Sequence, residues 1–169
     1  NGSTDGTKEY IEQNYKDAKI VRLDKNRAYS GGFNFGLDYA FNQKNADYVL
    51  VTNNDVKADK EVISSTVEVA QNNTKSGFVT GKVYFYNNPD VFQTVGKKGD
   101  EVFWRGGHIG RGEKDQGQYE LIREIEWCDD IFWLVSKELY NITGGYDTEF
   151  QFQAEDFDWQ VRAKKTGFK

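Results

Sequence analysis

The sequence predicts an α/β layered fold with a mainly parallel central sheet and some antiparallel strands, and three observations carry that expectation. Short apolar runs of strand character, AKIVRLD at 18–24 and DYVLVT at 47–52, alternate with amphipathic helical stretches, as in strands joined by crossover helices. DYVLVT is compact enough to be buried on both faces of a central strand, and it stops abruptly in Asn53-Asn54-Asp55. The 169 residues suffice for the core of one domain spanning 1–169 and are few for two.

Each element follows from local pattern. Residues 8–15 read as a short helix capped by Asp5 or Thr7, with Tyr10 and Ile11 as its apolar contacts. After the strand at 18–24, Ser30-Gly31-Gly32 leads into a second helix, where Phe33, Leu37, Ala40 and Phe41 make one buried stripe. A third helix over about 60–71 carries Ile63, Val67 and Ala70 on one face and ends at Asn72 or Asn73. The grammar then changes: GFVTGKVYFY is strand-like, and VFQTV and EVFWR flank KKGD as a hairpin. Residues 106–120, GGHIGRGEKDQGQYE, are too polar to pack and longer than an ordinary connector, as lids and binding loops are. WCDDIFWLVS returns to a strand, GGYD closes a short helical turn, and a last helix spans about 155–165 with Gly167 as its stop.

Composition narrows the function classes. A net charge of −5 with dispersed Lys and Arg argues against a general nucleic-acid partner, which calls for a basic patch. Cys128 is the only cysteine, so an internal disulfide and a cysteine-rich zinc site are excluded. No apolar run approaches the roughly 18 residues of a membrane span, and no stretch of the 169 residues reads as a signal peptide. Aromatic residues make up 15% of the chain, which points toward ring-shaped ligands. The chain has no Met and opens on the turn NGSTDGT, so it is expected to be a piece of a longer protein.

Ligands of open α/β sheets gather at the carboxyl ends of the strands, and three polar clusters are expected there. Asn53-Asn54-Asp55 is either a turn capping the next helix or a cation site, since one carboxylate suffices when substrate phosphates supply the remaining ligands. It is not an EF-hand, because counting from Asp55 puts Lys60 where glycine is required and Thr66 in place of Glu. Ser30-Gly31-Gly32 at a helix start is either a simple turn or a cradle of N–H groups for a phosphate or sugar hydroxyl; no P-loop or G-x-G-x-x-G is present. In AEDFDWQVR, Glu155, Asp156 and Asp158 crowd a first helical turn, with Phe150 and Phe152 upstream. The dipole favours acids there, but three exceed what a cap needs, and a carboxylate in apolar surroundings can serve as a general base. His108 lies in the glycine-rich loop as an exposed residue or a ligand contact, and no nucleophile-elbow motif accompanies it.

Taken in order, NGSTDGT, NRAYSGGFNFGLDYA, LVTNND, GQYE, EWCDDIFWLVSKELYNITGGYDTEF and AEDFDWQVRAKKTGF resemble the family 2 glycosyltransferases of GT-A fold, especially the bacterial rhamnosyltransferase-like branch. The resemblance implies a Rossmann-like domain with helices on both faces of the sheet. It implies that Asn1, Ser3 and Asp5 hold the nucleotide and that Gly31, Gly32 and Asn34 line the nucleotide-sugar pocket. Asn53, Asn54 and Asp55 stand at the family's DXD-like motif, Asp55 binding Mg²⁺ or Mn²⁺. Glu155 and Asp156 match the ED motif, with Asp156 as the catalytic base and Trp159 and Arg162 beside it. From position alone, Trp133 and the loop 106–120 are expected to shape acceptor choice.

The implied reaction is a single inverting displacement from a dTDP- or UDP-sugar onto a glycan or lipid-linked acceptor, in the cytoplasm at the inner face of the membrane. Membrane association would run through segments outside this chain, and polysaccharide or cell-wall biosynthesis would be the setting. Two departures stand out: Asn53 replaces the first Asp of the DXD-like triplet, and the family's first strand and most of its second do not precede NGSTDGT. The 169 residues alone are therefore expected to bind donor poorly or not at all. A non-catalytic carbohydrate-binding module and a nucleotidyltransferase are the alternatives; the first leaves the carboxylates unexplained, and the second calls for a basic phosphate loop near its start.

Overall fold

A computed structural model describes residues 1–99, 107–150 and 153–169. The helices are α1 (Thr7–Asn14), α2 (Ala28–Asp38, continued by a π-helical turn at Tyr39–Gln43), α3 (Val62–Asn72), α4 (Lys137–Thr143) and α5 (Glu155–Lys165). The strands are β1 (Tyr48–Thr52), β2 (Phe78–Val79), β3 (Val83–Phe85), β4 (Asn88–Thr94) and β5 (Phe132–Ser136).

β5 is the centre of the main sheet, in the order β1-β5-β2. Its two-residue side-chain period divides the core between the two faces. Trp133 and Val135 join Leu37, Phe41, Leu139, Trp159 and Ala163 beneath α2, α4 and α5. Leu134 turns the other way, onto Val79 and Ala70, with Val67 of α3 packed alongside. The chain is thus an α/β layered domain with helices on both faces. β1 and β2 run in the same direction, as crossover-linked strands should, but β5 lies between them antiparallel to both. Every strand pairing among the described residues is therefore antiparallel.

Several local expectations change. Residues 18–24 form no ladder, although Leu23 is buried, because no strand pairs with them among the described residues. Tyr10 is exposed and α1 buries nothing. On α3, Thr66 and Ala70 are buried while Ile63 is 58% exposed, so the buried stripe is rotated from the expected one. The hairpin partner of VFQTV is β3; the expected partner EVFWR lies outside the described residues, as does Phe152. The polar loop after residue 106 runs beside β4, with hydrogen bonds Phe92 N–H to Glu113 O (2.9 Å), Val95 N–H to Ile109 O (3.0 Å) and Ile109 N–H to Gly96 O (2.8 Å). Backbone pairing of this kind fixes the loop without an apolar core of its own. No helix among the described residues is long and apolar enough to cross a membrane.

One contact joins α2 to the segment after α4. Asn34 donates through Nδ2 to Tyr146 O at 2.7 Å and accepts from Tyr146 N–H at 2.9 Å. A Cβ on Gly145 would fall inside the van der Waals envelope of Asn34 Oδ1. Gly145→Ala is expected to force this pairing apart and to cost about 1–3 kcal/mol. An unchanged thermal midpoint in that variant would mean that the pairing does not form.

Candidate functional site

The site is built from the amino end of the chain, the start of α2, the carboxyl end of β1, the acidic segment before β5 and the start of α5. The opening turn docks on α2 through Asn1, whose Nδ2 donates to Ala28 O at 2.8 Å and whose Oδ1 accepts from Arg27 N–H at 2.9 Å. Gly2, with φ 72°, leaves no room for a side chain against the Lys25 and Asn26 backbone. Gly32 is filled in the same way by the Asn1 amide. Ser3 is exposed, and its carbonyl accepts from Arg22 at 2.9 Å. Asp5 accepts from the Thr7 hydroxyl at 2.6 Å and from Thr7 N–H at 3.1 Å, contacts that lower its pKa.

These residues gather beside α2, yet both polar ends of Asn1 are used in docking. Gly31 and Gly32 lie inside α2, which begins at Ala28. The expected helix-start cradle is therefore displaced, and the two glycines admit the Asn1 and Arg27 side chains. Asn34, expected in the pocket, has both ends of its amide on the Tyr146 backbone.

At the end of β1 the structure brings together residues that lie far apart in sequence. The Tyr29 hydroxyl of α2 stands 3.1 Å from Asn53 Oδ1 and 2.8 Å from Asp130 Oδ2. The same Asp130 oxygen accepts from the Tyr146 hydroxyl at 3.1 Å. Burial pushes the Asp130 carboxyl up to about 6; the two tyrosine bonds oppose the shift, and the Asp156 and Glu155 charges add to it. Burial and Asp130 raise the pKa of both tyrosines, so both remain protonated donors. Next to it, Asp129 pairs with Lys97, and His108 Nδ1 lies 3.2 Å from Asp129 Oδ2. His108 thus faces a carboxylate. Asn54 and Asp55 are exposed just beyond this group.

The start of α5 settles what its acids do not do. The N-cap is Ala154 and makes no side-chain cap bond. Asp158 is held by Arg162 Nε at 2.7 Å. That leaves Glu155, 6% exposed with Oε2 lacking a partner, and Asp156, whose Oδ1 accepts from Phe157 N–H at 2.8 Å. Burial is the main cause that raises the pKa of each; Lys97 opposes the shift at Asp156, and Asp129 adds to it. Gln153 and Ala154, just before them, have φ of 71° and 70°. Two such non-glycine residues in succession store about 1–3 kcal/mol each, a cost that recurs at functional sites.

The residues expected beside the base play other parts. Trp133 and Trp159 are 0% exposed and belong to the core. Their rings meet edge to face at 5.9 Å, and the Trp159 indole N–H donates to Thr143 Oγ1 at 2.8 Å. Arg162 binds the Thr143 and Gly145 carbonyls, fastening α5 to the end of α4. Asp130, Tyr29 and Tyr146 were not singled out from sequence. The signal available was the interruption of the apolar run WCDDIFWLVS by two acids.

An α/β domain that gathers carboxylates and amides at the carboxyl end of a sheet strand belongs among ligand-binding α/β enzymes. The sequence profile of Glycosyl transferase family 2 matches residues 1–141, most of the chain, and the chain belongs to that family. Glycosyl transfer is its activity in general, between nucleotide-sugar donors and acceptor substrates, commonly with divalent cations. No curated protein gives a significant match.

Proposed function

We propose that this domain is an inverting glycosyltransferase that moves a sugar from a dTDP- or UDP-sugar to a hydroxyl of a glycan or lipid-linked acceptor, with Asp156 as general base. One observation carries the reading: Glu155 and Asp156, two carboxylates whose proton affinity is raised by burial, open α5 near enough for their charges to act on Asp130, which shares the Tyr29 hydroxyl with Asn53. Asp156 would take the acceptor proton as its oxygen attacks the anomeric carbon. Asn1, Ser3 and Asp5 border the nucleotide, Asn53 and Asn54 the diphosphate end of the donor, and Glu155 supports the base. The ordered motif series favours a rhamnosyltransferase-like branch, and with it bacterial cell-wall or polysaccharide assembly at the cytoplasmic face of the membrane.

No three His, Cys, Asp or Glu side chains among the described residues converge to hold a metal ion. The donor set at the end of β1, one exposed carboxylate among amide oxygens, fits only a hard cation shared with substrate phosphates. Asp55 would hold it, and the bound cation would offset charge on the departing diphosphate.

Calorimetry of the full-length protein with UDP and dTDP, with and without MnCl₂, tests the donor assignment. Metal-dependent binding is expected, weakened by about tenfold or more in Asp55→Ala, the loss of one charge-assisted ligand. Binding that ignores both the metal and the substitution would overturn it.

A further inference from the structure

We propose that Gln160 is a positioning residue for the base: its buried side-chain amide ties the main chain of Asp156 to that of Cys128 and so sets how the start of α5 faces the acidic pair Asp129-Asp130. Gln160 and Cys128 are both buried. The amide Oε1 accepts from Cys128 N–H at 2.8 Å and from the Cys128 thiol at 3.4 Å. The amide Nε2 donates to Cys128 O and to Asp156 O, each at 3.0 Å. Every donor and acceptor position of the side chain is therefore used. Its orientation is fixed as well, because the amide turned over would set its oxygen against two carbonyls and its NH₂ against an N–H.

The side chain stands in for a strand. Trp127 exchanges main-chain bonds with Lys97, from Lys97 N–H to Trp127 O at 2.7 Å and from Trp127 N–H to Lys97 O at 3.3 Å. At the next residue the N–H and C=O are met by Gln160 instead, and buried main-chain groups need such partners. α5 turns one face to this segment, since Phe157, Gln160 and Lys164 fall at i, i+3 and i+7. The Phe157 and Trp127 rings lie 4.3 Å apart, and Lys164 Nζ stands 3.3 Å from the centre of the Trp127 ring. Ring contacts of this kind tolerate sliding, whereas hydrogen bonds weaken steeply off axis, so the amide fixes the register. Asp129 and Asp130 follow Cys128 directly. Asp129 pairs with Lys97 and faces His108, and Asp130 receives the Tyr29 and Tyr146 hydroxyls. One amide thus joins the two acidic segments of the site through the main chain of each. The rate depends on that register, because a base must come within hydrogen-bond reach of the proton it takes.

The inference rests on Asp156 as the base, and its test uses the full-length protein. Gln160→Met keeps the length of the side chain and removes the amide. It is expected to lower kcat by about 10–100-fold, the scale of a misplacement of about 1 Å, with UDP and dTDP affinity within a few-fold of the wild type. Gln160→Glu supplies a reading that lost stability alone does not. Protonated, the new carboxyl accepts from Cys128 N–H and donates to one carbonyl; ionised, it turns a charged oxygen on both carbonyls. Burial raises the proton affinity of such a group. Its kcat relative to the wild type is therefore expected to be highest at the acid end of the pH range and to fall as pH rises, at temperatures where both proteins are folded. Gln160→Met should show no such limb. Without ligand, Cys128 N–H is expected to exchange slowly with solvent in the wild type and about tenfold faster or more in Gln160→Met. A wild-type kcat in Gln160→Met, a flat ratio in Gln160→Glu, or free exchange of Cys128 N–H in the wild type would each overturn the inference. Should Gln160→Met fail to fold, the Gln160→Glu profile decides; a Gln160→Glu that folds at no pH assigns the residue to the core alone and overturns the inference as well. Failure of the base reading shows separately, as turnover that survives Asp156→Asn.

Discussion

In the full-length protein, Asp156→Asn is expected to reduce glycosyl transfer by about 10²–10⁴-fold, the usual contribution of a positioned general base. The amide keeps the size of the side chain and can still accept the Phe157 N–H, which reaches Asp156 Oδ1 at 2.8 Å. What it cannot do is take a proton from an attacking hydroxyl. Nucleotide binding, measured with UDP and dTDP, is expected to stay within a few-fold of the wild type, so the loss falls on kcat. The pH profile supplies a second reading. Burial raises the pKa of Asp156, and a base works only when ionised, so the acid limb of the rate should lie above that of a free aspartate. Activity should fall as pH drops through that limb. Glu155→Gln is the comparator: Glu155 is 6% exposed, poorly placed to meet an acceptor hydroxyl, and a smaller loss is expected. An Asp156→Asn enzyme that keeps wild-type turnover, or a larger loss in Glu155→Gln, would move the base elsewhere.

Much of this site was legible from sequence because its key residues end regular elements. Asn53 follows a strand whose apolar pattern is plain, and Glu155 and Asp156 open a helix whose stop signal, Gly167, is also plain. What was not legible depends on contacts across the chain. Asn34 reads as a polar residue near a glycine-rich turn, and only the fold reveals that its partner is the backbone of Tyr146, 112 residues away. Asp130 was hidden in a run read as strand, although the strand itself starts only at Phe132. Arg162 carries a local clue, the i,i+4 spacing to Asp158 that favours an ion pair on one helix face. The sheet was harder. Runs that alternate with helices suggest parallel pairing, and nothing local in FWLVS announces that it enters between two parallel strands from the opposite direction.

Trp159→Ala is expected to cost about 3–5 kcal/mol, the range for truncating a buried tryptophan. The indole lies edge to face with Phe78 at 5.2 Å and Trp133 at 5.9 Å, and it packs on Tyr146 at 4.9 Å. Its N–H bond to Thr143 is buried with it. For a chain of this length each kcal/mol is worth roughly 2–4 °C, so a fall of roughly 6–20 °C in the melting temperature is expected. Trp159→Phe keeps most of the ring packing and gives up the hydrogen bond, so its loss should be much smaller, about 1 kcal/mol. The comparison separates two accounts of this residue. A tryptophan lining a sugar pocket would leave stability almost intact on truncation and weaken donor or acceptor binding instead. A core tryptophan does the reverse, and here it also has a reach into the site. Trp159 is one turn beyond Glu155 on the same inward face of α5, both of them buried, so the seat of its ring fixes the rotation at which α5 presents Asp156. Loss of activity in Trp159→Ala should therefore track the loss of folded protein and recover as temperature falls, whereas the loss in Asp156→Asn should persist at every temperature at which the protein is folded.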